Sequence, residues 1–175
     1  MNAAKAICIL LILSMLLSVT ACTSSPSLPC DGVLSAMLAF ADEHPAGKTY
    51  HLSAEAGEDD YLSVTLQEML YGELSLTPHD GVADFALYLS QTTVPFELAV
   101  FRCTTGRKAT ELAKICETRI RTLRHYFRGQ EEEVILASGR VLIYENFVLM
   151  AISTDADILI AEAKRVIRGE RPEKR

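Results

Sequence analysis

The run Phe96-Glu97-Leu98-Ala99-Val100-Phe101-Arg102-Cys103 limits the fold more than any other stretch of the chain. Successive residues of an extended chain point to opposite faces of a sheet, and this run is apolar on both. A strand that needs cover on both sides belongs at the centre of its sheet. Just upstream, from Val82, the hydrophobic period is two. Ala83, Phe85, Leu87 and Leu89 form one face and Asp84 and Ser90 lie on the other, which predicts a half-buried strand. Gln91 to Pro95 turns the chain between the two. Farther on, Arg140–Tyr144 and Phe147–Ile152 are two β-rich runs separated only by Glu145-Asn146. That gap predicts a tight hairpin, with the asparagine in the left-handed region.

Helical spacing surrounds these strands. Asp31 is placed to cap a helix whose stripe is Val33, Leu34, Met37, Leu38 and Ala41, stopped by His44-Pro45-Ala46-Gly47. Asp59 or Asp60 is placed to cap a second, with Leu62, Leu66, Met69 and Leu70 as its stripe and Gly72 after its last turn. Lys48 to Asp60 has no clear period. The strongest helix runs from Gly106 to Arg128, where Ala109, Leu112, Ala113, Cys116, Ile120, Leu123 and Phe127 form a continuous seam. Arg119, Arg121, Arg124, His125 and Arg128 crowd its end, where the helix dipole favours positive charge. Glu131 to Ala137 forms one more short turn. Thr154 with Asp157 resembles a capping box that opens a last helix, with Ile158, Ala161, Ala163, Val166 and Ile167 toward the sheet. The order α-α-β-β-α-β-β-α predicts an α+β domain: an antiparallel sheet of about four strands in two hairpins, packed against helices.

The N-terminus carries an address. Lys5 precedes an apolar run from Ala6 to Val19, broken only by Ser14, and small residues lead to Cys22. That is the charged, apolar, small-residue order of an export signal. Its run of about fourteen residues falls short of the roughly 20 needed to span a bilayer. Val19-Thr20-Ala21-Cys22 resembles the lipobox of bacterial lipoproteins, which implies cleavage before Cys22 and a diacylglycerol on its thiol. Two chains, at about 0.8 kcal/mol per buried methylene, hold a protein stably where one is marginal. The expected division is a signal over residues 1–21, a flexible tether over 22–30 and one α+β domain over 31–175.

Composition narrows the chemistry. Loss of the signal leaves 154 residues, enough to bury a core without metal or disulfide. From Cys22 to Val100 there are twelve acidic residues and one basic, Lys48, whereas from Phe101 onward fifteen basic residues face eleven acidic. These charges read first as a solvated surface; the alternative is that the acidic part is repelled by an anionic membrane while the basic part lies nearer the lipid or meets an anionic wall polymer. A net acidic exported domain lacks the basic patch that nucleic acid requires. Of Cys30, Cys103 and Cys116, none lies in a zinc spacing, and Cys116 falls on the apolar seam, as a free buried thiol does. A Cys103–Cys116 bridge is the alternative. Glu55, Glu58, Asp59 and Asp60 lack calcium-loop spacing and read as a solvated loop; Asp155 and Asp157 read as helix-capping groups. No hydrolase, zinc-protease or phosphate-loop motif is present. His44, His51 and His79 sit in expected loops, where catalytic groups often lie.

VPFELAVFR from Val94 to Arg102, the long helix after it, the hairpin RVLIYENFVLMAIS and the segment LSVTLQEMLYG together resemble the domain of unknown function 4358. Members of that family are small lipoproteins of Gram-positive bacteria. The similarity spans roughly Asp60 to Ile167, with Pro95 where the family pattern has a polar residue. It rests on core and turn residues, so it implies an exported, lipid-anchored α+β protein and transfers no catalytic residue. The resulting expectation is an extracytoplasmic module held to the cell membrane through Cys22. Its partner class is an envelope protein or wall polymer, with no cofactor, metal or catalytic residue assigned. An envelope hydrolase without a recognisable motif is the alternative.

Overall fold

The computed structural model describes residues 28–41, 43–73 and 76–170. The export signal, Cys22 and most of the expected tether lie outside the described residues. The elements in order are α1 (Cys30–Phe40), β1 (Gly47–His51), α2 (Val64–Tyr71), a 3-10 turn (Pro78–Asp80), β2 (Val82–Ser90) and β3 (Glu97–Cys103). They continue with α3 (Gly106–Tyr126), α4 (Glu133–Ser138), β4 (Arg140–Tyr144), β5 (Phe147–Ile152) and α5 (Ala156–Ile167). The class is α+β. No helix among the described residues is long and apolar enough to cross a membrane.

All five strands pair antiparallel in the order β1-β2-β3-β5-β4, so the doubly apolar β3 is central, as its pattern requires. The expected hairpins are β2–β3 and β4–β5. The fifth strand, β1, was expected to be part of a loop. It is an edge strand half-buried at every position, so its sequence carries no alternation to read. Gly47 is needed there: a Cβ would stand 2.5 Å from the Leu89 carbonyl oxygen and 2.6 Å from the Tyr88 ring.

Helices cover both faces of the sheet. Phe85, Leu87, Ala99, Phe101, Val148 and Met150 pack with α2, α3 and α4. Ala86, Tyr88, Leu98, Val100, Leu149 and Ala151 pack with α1 and α5. β2 is therefore buried on both faces rather than half-buried, because α1 and α5 supply the second cover. Asp84 is partly buried. Its carboxylate accepts the Cys30 N–H at 2.8 Å, capping α1 from across the fold in place of Asp31. That helix begins at Cys30, inside the stretch expected to be tether.

Three further local expectations give way to tertiary packing. Ser63, not Asp59 or Asp60, caps α2 by accepting the Leu66 N–H at 3.2 Å, and Met69 is 74% exposed. In the β4–β5 turn Glu145 takes the positive φ, 54°, because Asn146 is occupied elsewhere. Its carbonyl accepts the Cys103 N–H at 2.8 Å and its side-chain amide donates to the Cys103 carbonyl at 3.2 Å. At the last helix Asp155 is the N-cap with no side-chain capping bond, so the Thr154/Asp157 box does not form. Asp157 instead accepts from Arg140 Nε at 2.8 Å. The buried residues of α5 are Ala156, Leu159, Ile160, Ala163 and the charged Glu162, which pairs with Arg165, and Ile158 is 45% exposed. Cys30, Cys103 and Cys116 are buried and unbridged.

Candidate functional site

β3 begins with a charge. Glu97 points toward α3 from a strand that is otherwise apolar on that face, and it is only 4% exposed. A carboxylate taken out of water needs partners for both oxygens. Tyr71, the last residue of α2, donates its hydroxyl to Oε1 at 3.1 Å. Arg119, in the third quarter of α3, donates Nε to Oε2 at 3.1 Å and brings Nη2 to the same oxygen at 3.1 Å. Three elements are thereby pinned at one point. Burial, and then the negative charge of Glu97, hold the Tyr71 phenol well above its usual range. The same two causes push up the neighbouring Cys116 thiol. The Tyr71 ring also stands edge-on to Phe101, with centroids 5.5 Å apart.

Glu97 and Arg119 form the polar floor of a cleft of about 280 Å³. Leu66 and Leu70 of α2, Leu89 of β2, and Leu123 and Phe127 at the end of α3 make its apolar walls. The β2–β3 connection forms its rim with Ser90, Thr92 and Thr93. That rim is braced by its own hydroxyls: Ser90 Oγ accepts the Thr92 N–H at 3.1 Å and Thr92 Oγ1 accepts the Val94 N–H at 3.2 Å. Beyond Leu70 and Arg119, which serve as a shared wall, lies a second hollow of about 330 Å³ lined by Glu68, Met69, Tyr71, Ile115, Thr118 and Thr122. The described chain starts at the other pole of the sheet, where Cys30 meets Asp84. Asp84 to Leu89 is five residues along β2, so the cleft opens about 17 Å from the point where the N-terminal segment joins the fold.

The arginines expected to cluster at the end of α3 do not act together. Arg119 turns inward to Glu97, Arg121 donates to Thr118 Oγ1 at 2.9 Å, and Arg124 and Arg128 are exposed. Of the histidines, His44 contacts the Tyr88 hydroxyl at 3.1 Å, while His79 and His125 are exposed. His51 is different. Its Nδ1 stands 3.7 Å from Asp31 Oδ1, and it lines a third hollow of about 270 Å³ with Tyr61, Gln67, Glu68, Glu73 and Thr77. None of the described residues lining that hollow is a serine or cysteine. In the acidic loop Glu58 accepts the Glu55 N–H at 2.7 Å, and among the described residues no group of three side chains is placed to hold a metal ion.

The Tyr71–Glu97–Arg119 cluster was missed in the sequence reading. The available signal was a lone glutamate opening an apolar strand, since an acid at such a position must find a cation and a donor in three dimensions. No protein-family model, curated protein or solved structure matches the chain.

Proposed function

We propose that the chain is a lipid-anchored, extracytoplasmic binding or assembly module of the cell envelope, held to the membrane by a diacylglyceryl group on Cys22. The export-like N-terminus, the lipobox-like Val19-Thr20-Ala21-Cys22 and the resemblance to the domain of unknown function 4358 support the anchor. The observation that carries the binding role is the position of the cleft: it opens at the pole of the sheet opposite Cys30, where the described chain begins. An apolar cleft with a few placed polar groups is the general form of a recognition site. The test is affinity capture of the native protein from its own membranes beside a Cys22→Ala control. A reproducible envelope partner, with loss of membrane association in the control, is the expected result. A native product that still begins at Met1, or a control that stays on the membrane, contradicts the anchor.

A second reading, an envelope hydrolase, draws on His51, which shares a hollow with Glu68 and Glu73 and stands near Asp31. A His–carboxylate pair in a hollow suits general-base work on a water. Hydrolysis of purified envelope material that disappears in His51→Ala would establish it. Equal rates with and without the protein remove it.

A further inference from the structure

The two edges of the sheet are treated differently. In an antiparallel pair, residues bonded to the neighbour alternate with residues whose N–H and C=O point the other way. Tyr144 and Phe147 flank the two-residue turn and form a bonded pair, as do Leu142 with Leu149 and Arg140 with Ala151. The Cys103 N–H on the Asn146 carbonyl fits the same alternation across β5. Val141 and Ile143 therefore turn their N–H and C=O groups out of the sheet, and no described residue bonds to them there. Ile143 is 41% exposed, and the one charge on β4, Arg140, is paired with Asp157. The β1 edge is guarded: it carries Lys48, and the outward His51 N–H donates to the Asp60 carbonyl at 3.2 Å. An apolar edge without such guards is a template for another strand.

β4 is complementary to itself. Laid antiparallel on a second β4 with Leu142 opposite Leu142, each outward Val141 meets an outward Ile143, and all the free groups of both residues are used. A slip of two residues brings in either Gly139, whose N–H is held by the Leu136 carbonyl, or Glu145 in the turn. The facing side chains are valine with isoleucine, leucine with leucine, and Arg140 with Tyr144, a cation beside a ring; no like charges stand opposite. The charges on α5 match as well. Asp157 is level with Arg140, and Lys164 Nζ lies over the Tyr144 ring at 5.3 Å. A two-fold axis reverses the neighbour, so the Asp157 end of one α5 comes level with the Lys164 end of the other. That axis stands perpendicular to the sheet, which leaves α1 and α5 of both copies on one side, where both described chains begin.

We propose that a second copy of this chain occupies the β4 edge, joining two five-stranded sheets into one continuous sheet with two-fold symmetry. Such an interface is closed, because each copy uses up the other's bare edge. It goes beyond the binding role proposed above and leaves the cleft free, since no residue of β4 lines any of the three hollows.

The test follows the full-length chain, purified in a neutral detergent, by sedimentation equilibrium at matched detergent density. A dimer at micromolar concentration is expected. Ile143→Lys places a guard at an exposed position and should weaken association at least roughly tenfold, whereas Thr49→Lys on β1 should leave it unchanged. The register is read separately. Residues 142 of the two copies would stand about 4.5 Å apart at Cα, within reach of a disulfide. Under a mild oxidant Leu142→Cys should give a peptide linked from 142 to 142, found by mass spectrometry without reduction, and Thr49→Cys no corresponding product. The inference is overturned if the parent chain is a monomer, if Ile143→Lys leaves the dimer intact, or if Thr49→Lys disrupts it equally. A monomer that still captures an envelope partner would remove the pairing and leave the binding module standing.

Discussion

The two faces of the sheet are built differently. One is covered by α1 and α5, helices of 11 and 12 residues, which meet the sheet through Val33, Leu34, Met37, Leu159 and Ala163, and the buried charge there, Glu162, pairs within α5 with Arg165 rather than with the sheet. The other is crossed by the 21-residue α3, flanked by the 8-residue α2 and the 6-residue α4. Short helices cannot close the flanks of a long one. All three hollows described above lie on that side, and so does the buried Tyr71–Glu97–Arg119 cluster. One face is a closed support that receives the N-terminal segment through the Asp84 cap. The other has gaps, and its polar cluster fixes where those gaps lie.

Mutations on the two sides should separate these roles. The largest effect is expected at the cluster. Arg119→Ala strands a buried carboxylate and should cost about 3–5 kcal/mol in denaturant unfolding, while replacing Glu97 and Arg119 together by Leu and Met should recover most of it. Unfolding free energies of the single and double variants check this directly. On the closed face Leu149→Ala removes a fully buried side chain and should cost about 2–5 kcal/mol with no compensating partner available. Tyr71→Phe leaves one Glu97 oxygen without its donor and should cost about 1–3 kcal/mol. Arg140→Ala, at an ion pair with both groups exposed, should cost at most about 1 kcal/mol. If Arg140→Ala proved as damaging as Arg119→Ala, burial would not be what distinguishes the two pairs.

Alkaline pH sharpens the comparison. Burial pushes the Cys103 thiol up from 9.0 to about 11, and burial also raises Cys116 and Tyr71 on the same face. The unfolded chain ionises these groups at lower pH than the folded one. Their contribution to stability is therefore complete below about pH 9 and is lost as the pH rises toward 11. Denaturation midpoints measured from pH 7 upward should stay level and then fall. A thiol-alkylating reagent at neutral pH should leave Cys103 and Cys116 unlabelled until the protein unfolds.

How much of this was legible in the sequence depended on whether the signal was local. The central position of β3 follows from its apolar run, and the seam of α3 from Ala109 to Ile120 follows from helical spacing. Both are properties of residues near one another in the chain. β1 was hidden because an edge strand half-buried throughout shows no period. The cap of α1 was hidden because Asp84 comes from 54 residues away. The α2 stripe was read with Met69 inside, whereas α2 touches α3 on so narrow a front that Met69 stays in water. Arg119 was grouped with its exposed neighbours because nothing on α3 itself distinguishes it; its partner is on β3. The cleft is likewise a product of where three distant segments meet.

The division between a supporting face and a recognising face is the central claim, and site-specific photocrosslinking in intact cells tests it most directly. A photoreactive amino acid is placed at exposed position 122, which lines the second hollow, or at exposed position 35 on α1. A discrete adduct from position 122 and none from position 35 is the predicted result. Equal adducts from both positions, or an adduct from position 35 alone, would contradict it.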